Sequence, residues 1–339
     1  MDLDLPLIWS AIIALGVFMY VLLDGFDLGV GILFPFTRDA GERDVMMNTV
    51  APVWDGNETW LILGGASLLG AFPLAYSTLL PALYLPVMVM LFGLVFRGVA
   101  FEFRFKTAGR HLWWDRAFFT GSLVASFAQG ALLGAFIQGV AVERVADGGY
   151  RYTGGAFDWL TPFSVMTGVG LVCGYALLGA TWLVWRTDGA LQQRALSAAR
   201  GLTLAVLAFV AVVSLWTPWA NPPIAQRWFA WPNLVLLAPI PLAALAAALV
   251  LLRALARGWE RMPFLMTMAL FLLSYAGLAV SLWPFAVPRV MTIWDAASPP
   301  ESQMFLLAGV AVLLPVILAY TFYSYRVFRG KVRTGAGYH

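Results

Sequence analysis

The chain has 339 residues, of which 61 % are hydrophobic and 12 % charged, and its mean hydropathy is +0.80. That is about half the charge of a soluble globular domain, so a soluble core is excluded, and no polar stretch is long enough for a separate soluble domain. The net charge of +3 follows the placement of loops, as shown below, and carries no signature of nucleic-acid binding.

The N-terminus, Met-Asp-Leu-Asp-Leu-Pro, has no basic residue before its apolar run and no small-residue cleavage site at the right distance. A cleaved signal peptide is therefore not expected, and Pro6 fits the first turn of a helix. A spanning helix needs about 20 mostly apolar residues. Nine segments qualify, with approximate cores at 8–35, 58–78, 80–101, 117–142, 162–185, 201–219, 232–252, 263–285 and 303–325. A tight Pro/Tyr-rich turn around Pro73 to Pro81 is expected to join the second and third. The reading is an all-α polytopic membrane protein.

Orientation follows from Lys and Arg. Sixteen fall after spans one, three, five and seven and in the C-terminal tail, from Arg38 and Arg43 through Arg104, Arg186 and Arg253 to Arg333; four, Arg144, Arg151, Arg227 and Arg289, fall on the opposite side. The remaining cation, Arg97, lies inside the third span. This bias predicts a periplasmic N-terminus and a cytoplasmic C-terminus. The single Cys173 lies within the fifth span and permits no intrachain disulfide or Cys-rich metal site.

The first span carries two acids, in the run Asp24-Gly25-Phe26-Asp27-Leu28-Gly29. A carboxylate at the centre of a span costs roughly 2.5–3.5 kcal/mol on insertion scales. The second span opens with Trp54-Asp55-Gly56-Asn57-Glu58-Thr59-Trp60, and the third closes with Phe96-Arg97-Gly98-Val99-Ala100-Phe101-Glu102-Phe103-Arg104. Spacing of three puts Asp24 with Asp27, and Asp55 with Glu58, on common helix faces. Given the alternation of spans, Asp24, Asp27, Asp55, Glu58 and Glu102 are expected to converge with Arg97 in the cytoplasmic half of the first bundle. Spans four to nine show nothing comparable.

Two readings fit these acids. Carboxyls in a low-dielectric setting can exchange protons near neutral pH, which makes a hydrated proton-uptake route. Alternatively they form a buried ion-pair and capping network. In that case Asp55 caps the second span with Glu58 completing a capping box, and Arg97 neutralises Asp27 or Asp55. For Asp24 and Asp27, which sit mid-helix, the first reading is favoured. Gly25, Gly29, Gly31, Gly64 and Gly65 read as close helix contacts, and the Trp residues near span ends as interfacial anchors. Trp294-Asp295 reads as a loop turn. His111, in a basic loop, and His339 are the only histidines, and neither is placed to bind a haem in mid-membrane. No phosphate loop, HExxH or Ser/His/Asp set is present, so redox chemistry must belong to another chain.

Taken together, Asp24 to Gly31, Ala51-Pro52-Val53-Trp54-Asp55-Gly56-Asn57-Glu58 and Phe96 to Arg104, in order and at fitting distances, closely resemble subunit II of cytochrome bd-type quinol oxidases. Trp283-Pro284-Phe285 and Met291-Thr292-Ile293-Trp294-Asp295-Ala296 match as well, so the likeness covers nearly the whole chain.

The resemblance implies two four-helix bundles, within residues 1–142 and 162–285, and a peripheral ninth helix at 303–326. It implies a complex in the bacterial inner membrane that oxidises quinol and reduces oxygen to water with protons from the cytoplasm. Haem b and haem d, or haem b alone, would be held by a partner subunit I, with none ligated by this chain. A small single-helix accessory subunit is usual, and in some members a quinone sits in subunit II as a structural element. Lipid and quinol are the other expected partners. Carried over residue by residue, Asp27 and Asp55 match acids proposed to line a cytoplasmic proton path, with Asp24, Trp54 and Arg97 as neighbours. Glu58 stands where many members carry Gln, and Glu102 where many carry Asp; both point to the cyanide-insensitive-oxidase-like branch. The competing readings are a proton-coupled secondary transporter, against which the uncharged second half counts, and a pure scaffold for the haem subunit.

Overall fold

In a membrane every backbone N–H needs an internal acceptor, and long apolar runs meet that need as helices. The computed structural model describes residues 3–107, 111–145 and 149–333. The first helix, α1 (Leu5–Leu33), is opened by Asp4, whose carboxylate accepts from the Leu7 amide at 3.1 Å, with Pro6 in its first turn. After a single 3₁₀ turn at Phe34–Phe36 comes the short α2 (Ala40–Asn48), capped by Asp39 through the Glu42 amide at 2.9 Å. Then follow α3 (Trp54–Ala71), α4 (Pro73–Arg104) and α5 (His111–Gln138). A small antiparallel hairpin, β1 (Val142–Arg144) with β2 (Tyr150–Tyr152), sets Val142 opposite Tyr152. The second half holds α6 (Pro162–Arg186), α7 (Gly189–Ala220), the short α8 (Pro222–Phe229) and α9 (Asn233–Leu237), α10 (Pro239–Ala256) and α11 (Met262–Leu282). A second hairpin, β3 (Phe285–Val287) with β4 (Met291–Thr292), leads to α12 (Pro300–Val327).

Among the described residues, eight helices are long and apolar enough to cross a membrane. The segment expected at 58–78 is divided between α3 and the first turns of α4. Its helix, α3, has 18 residues but opens with Asp55, Asn57, Glu58 and Thr59, which make it less apolar than the other long helices. The expected turn around Pro73 to Pro81 is not there. The break is the single residue Phe72; Pro73 starts α4, where a missing N–H costs nothing, and Pro81 lies within the helix. His111 is likewise the first residue of a helix rather than part of a loop, and His339 lies outside the described residues.

From Leu22 to Ile32 every residue of α1 is buried, because α1 packs against α3, α5 and α6 together. The approach to α6 is closest at Gly29 and Gly179: a Cβ on Gly29 would lie 1.8 Å from the Tyr175 carbonyl oxygen, and one on Gly179 2.3 Å from the Gly29 carbonyl carbon. Gly25 and Gly31 are similarly tight, whereas Gly65 has no neighbour within 4 Å in this chain. Helices α1, α3, α4 and α5 touch around one ring and α6, α7, α10 and α11 around another, with α1 and α5 meeting α6 between them. Helix α12 lies against α3 and α1 and buries only Gln303 and Ser324.

Candidate functional site

The buried polar centre lies where α1, α3 and α4 meet. Arg97 of α4 is fully buried and forked between two acids: its Nη1 donates to Asp24 Oδ1 at 2.5 Å and its Nη2 to Glu58 Oε2 at 2.8 Å. Trp54 lies beside it, with the guanidinium carbon 5.8 Å from the ring centroid, and is itself stacked on Phe101 at 4.9 Å. Asp24 and Asp27 have no exposure, while the Glu58 side chain is 26 % exposed. Asn57 donates to Asp27 Oδ2 at 2.7 Å and to the Leu23 carbonyl at 3.3 Å, and accepts from the Tyr325 hydroxyl at 2.9 Å. Asp24 Oδ2, Asp27 Oδ1 and Arg97 Nε are buried without a protein hydrogen bond. On the far side of Asp24, one turn back on α1, Tyr20 accepts from Gln129, which accepts in turn from Tyr175.

The structure thus gathers Asp24, Asp27, Glu58, Arg97 and Trp54. Arg97 is paired with Asp24 and Glu58, not with Asp27 or Asp55 as the ion-pair reading expected. Val53 is the residue before α3, and no side chain caps that helix; Asp55 lies in its first turn, exposed, so the expected capping box with Glu58 does not form. Glu58 is drawn off to Arg97 instead. Glu102 also stays outside the centre: it is exposed and bound by Lys106, four residues on, at 2.7 Å.

A second ionic network joins Arg104, Asp115, Asp44 and Arg43. Arg104 is buried and donates to Asp115 and Asp44, both at 2.6 Å, and Asp115 also accepts from Arg43 at 2.6 Å. Glu42 pairs with Arg194. These contacts fasten α2 to α4, α5 and α7 at the end of the molecule where α1 finishes. Asp115 precedes the apolar core of its span, so it reads in sequence as an ordinary loop acid. Asn57 lies within the Trp54 to Trp60 run but, being neutral, does not stand out there as the acids do, and nothing in the sequence marks Tyr325.

A family model described as cytochrome bd terminal oxidase subunit II matches residues 5–328. The chain belongs to that family. It is 31 % identical to cytochrome bd-I ubiquinol oxidase subunit 2 of Escherichia coli K12, over 97 % of this chain and 95 % of that protein. It is also 31 % identical to cytochrome bd ubiquinol oxidase subunit 2 of Bacillus subtilis 168, over 96 % of each. The solved bd oxidase of Geobacillus thermodenitrificans superposes with a TM-score of 0.75 over 96 % of this chain and 99 % of its match, at 18 % identity, which shows the fold. A subunit II of this kind is a multi-pass protein of the bacterial inner membrane.

The family's oxidases depend on haem, and the residues of this chain do not fit one. His111 is exposed at the start of α5, Cys173 stands alone, and no three His, Cys, Asp or Glu side chains are grouped for a metal among the described residues. The buried acids are held by a guanidinium and an amide, and among the described residues no imidazole faces the interior.

Proposed function

We propose that this chain is the proton-guiding subunit of a cytochrome bd-type quinol oxidase and that its own residues carry out no redox step. Family membership makes it one subunit of a quinol oxidase complex with a subunit I as partner. The haems, b and d or b alone, then belong to that partner, beside a small accessory helix.

The observation that carries the reading is the charge balance of the centre. Three carboxyls, Asp24, Asp27 and Glu58, face one guanidinium in a space closed to water on most sides. A pure ion-pair clasp needs as many cations as anions, because uncompensated charge in a low-dielectric interior is costly. An excess of acids is what a site that accepts and releases protons requires. Glu58 reaches the surface and Asp24 does not, so the direction is from Glu58 inward to the aspartates; Arg97 keeps its own protons and holds Glu58 and Asp24 side by side. Asp55 and Glu102, both exposed, serve as collecting acids at the cytoplasmic surface. In this arrangement residues 1–142 form the proton-handling bundle, residues 162–285 a second bundle that backs it through α6, and 303–326 a peripheral helix.

Substituting Asp27→Asn in the assembled, membrane-reconstituted oxidase tests this. Loss of a positioned proton carrier predicts a fall in oxygen-reducing turnover on the order of 10²-fold, with proton uptake after an oxygen pulse slowed in step. Normal turnover and normal charge separation in a fully assembled complex would sink the proposal and leave a scaffold role.

A further inference from the structure

A narrow crevice runs between α3 and α12 and stops one residue short of Asp27. Gly56, Asn57, Ser324 and Tyr325 line it, and it encloses about 10 Å³, room for roughly one water molecule. Tyr320 stands at its rim, exposed, so close over Gly56 that a Cβ there would come within 3.2 Å of the ring. The inner wall is Asn57. Its amide nitrogen is spent on Asp27 and the Leu23 carbonyl and its oxygen on Tyr325. A carboxamide held in this way does not pass protons from one side to the other, since it has no ionisable hydrogen at neutral pH. Water in the crevice therefore reaches Asn57 but not the acid behind it, while Asp27 Oδ1 waits buried with no protein partner.

We propose that Asn57 is a gate between this crevice and Asp27, and that Tyr325 is its latch. The proposal rests on the reading of Asp27 as a proton acceptor and adds a second, controlled entry to it beside the route through Glu58. Releasing the Tyr325 hydroxyl frees the Asn57 oxygen, the amide turns, and a water in the crevice meets the Asp27 carboxyl directly. The latch is carried by α12, which within this chain lies against α3 and α1 and, among the described spans, is the least buried. Seating of α12 on α3 thereby sets access to the acid. Tyr325 and Asn57 act as positioning residues.

The test uses the complete oxidase. In redox-induced infrared difference spectra, the band removed by Asp27→Asn marks that carboxyl group, and the rate at which the band shifts after transfer to deuterium oxide reports water access. Tyr325→Phe keeps the ring and removes the latch; the shift is expected to run about fivefold faster, the population equivalent of one net hydrogen bond. A 3-fluorotyrosine at position 325 keeps ring and hydroxyl, donates more strongly and is expected to slow the shift. It decides the matter if the Phe variant does not assemble. An unchanged rate with the fluorinated residue, or with Phe in an assembled complex, overturns the latch. Failure of the underlying reading looks different: Asp27→Asn would then turn over and take up protons normally, whatever the exchange rates.

Discussion

Arg97 holds acids from two other helices, Asp24 of α1 and Glu58 of α3, on its two outer nitrogens. With Arg97 gone, fully buried Asp24 faces Asp27 with no cation beside it, and breaking a buried pair in this way costs about 3–5 kcal/mol. Arg97→Leu is expected to yield little assembled oxidase, with a strongly lowered Tm for what survives. Arg97→Lys keeps the charge but cannot fork to two carboxylates, so it should assemble and melt between the two. Equal melting of the Leu variant and the parent protein would show that the fork stabilises nothing. At this scale the sequence revealed the outliers but not their pairing. Charges at 24, 27, 58 and 97 stand out because apolar spans tolerate so few. Spacing along one helix says which face a side chain occupies; it does not say which residue of another helix arrives there. So the Asp24–Arg97–Glu58 fork, the Asn57–Tyr325 contact and the Arg104–Asp115 pair became visible only in three dimensions.

Among the elements, α1 is hemmed in by α3, α5 and α6, and its contact with α6 depends on two glycines lying backbone to backbone. A methyl at position 29 would overlap the Tyr175 carbonyl, which belongs to a buried helix and cannot swing aside. Gly29→Ala is therefore expected to destabilise the subunit by about 3 kcal/mol, at the upper end for overpacking. Gly65→Ala, with nothing within 4 Å, should leave stability unchanged; the difference in Tm between the two variants checks this. A second element-scale contact titrates. After α12 the chain turns back, the Val332 amide donating to the Arg186 carbonyl at 2.8 Å and Lys331 pairing with Glu260 at 2.6 Å. The Lys331 ammonium, with help from the Gln192 amide, holds the Glu260 carboxyl below the usual range. A carboxyl lowered in the folded state stabilises above its unfolded value, about 4.3 for Glu, and that contribution fades as pH falls through the lower folded value. Proteolysis after residue 328 should accelerate below about pH 4, and Glu260→Gln should remove that pH dependence. Most of these elements were legible because hydropathy fixes where spans must lie. The exception, the α3–α4 break, misled because proline marks a helix start as readily as a turn.

For the whole molecule, two ends differ in charge. The end carrying α2 and the chain beyond α12 gathers most of the arginines, while the end with both hairpins holds Arg144, Arg151, Arg227 and Arg289. Several of the first group are paired, Arg43 and Arg104 to Asp115 and Arg194 to Glu42. Pairing does not weaken the argument: membrane insertion responds to Lys and Arg near the span ends, and acids count for little. The imbalance of sixteen to four therefore predicts the α2 end inside and the hairpins outside, and on the proposed function that is the side from which Glu58 would take protons. Reporter fusions decide the orientation independently of any enzymatic assay. A fluorescent protein appended to the C-terminus should fold and glow, and alkaline phosphatase at the same place should be silent. Phosphatase inserted between β1 and β2 should be active. If activity appears at the C-terminus instead, Asp55 and Glu58 open to the periplasm, and protons drawn through them would come from the wrong side to contribute to charge separation.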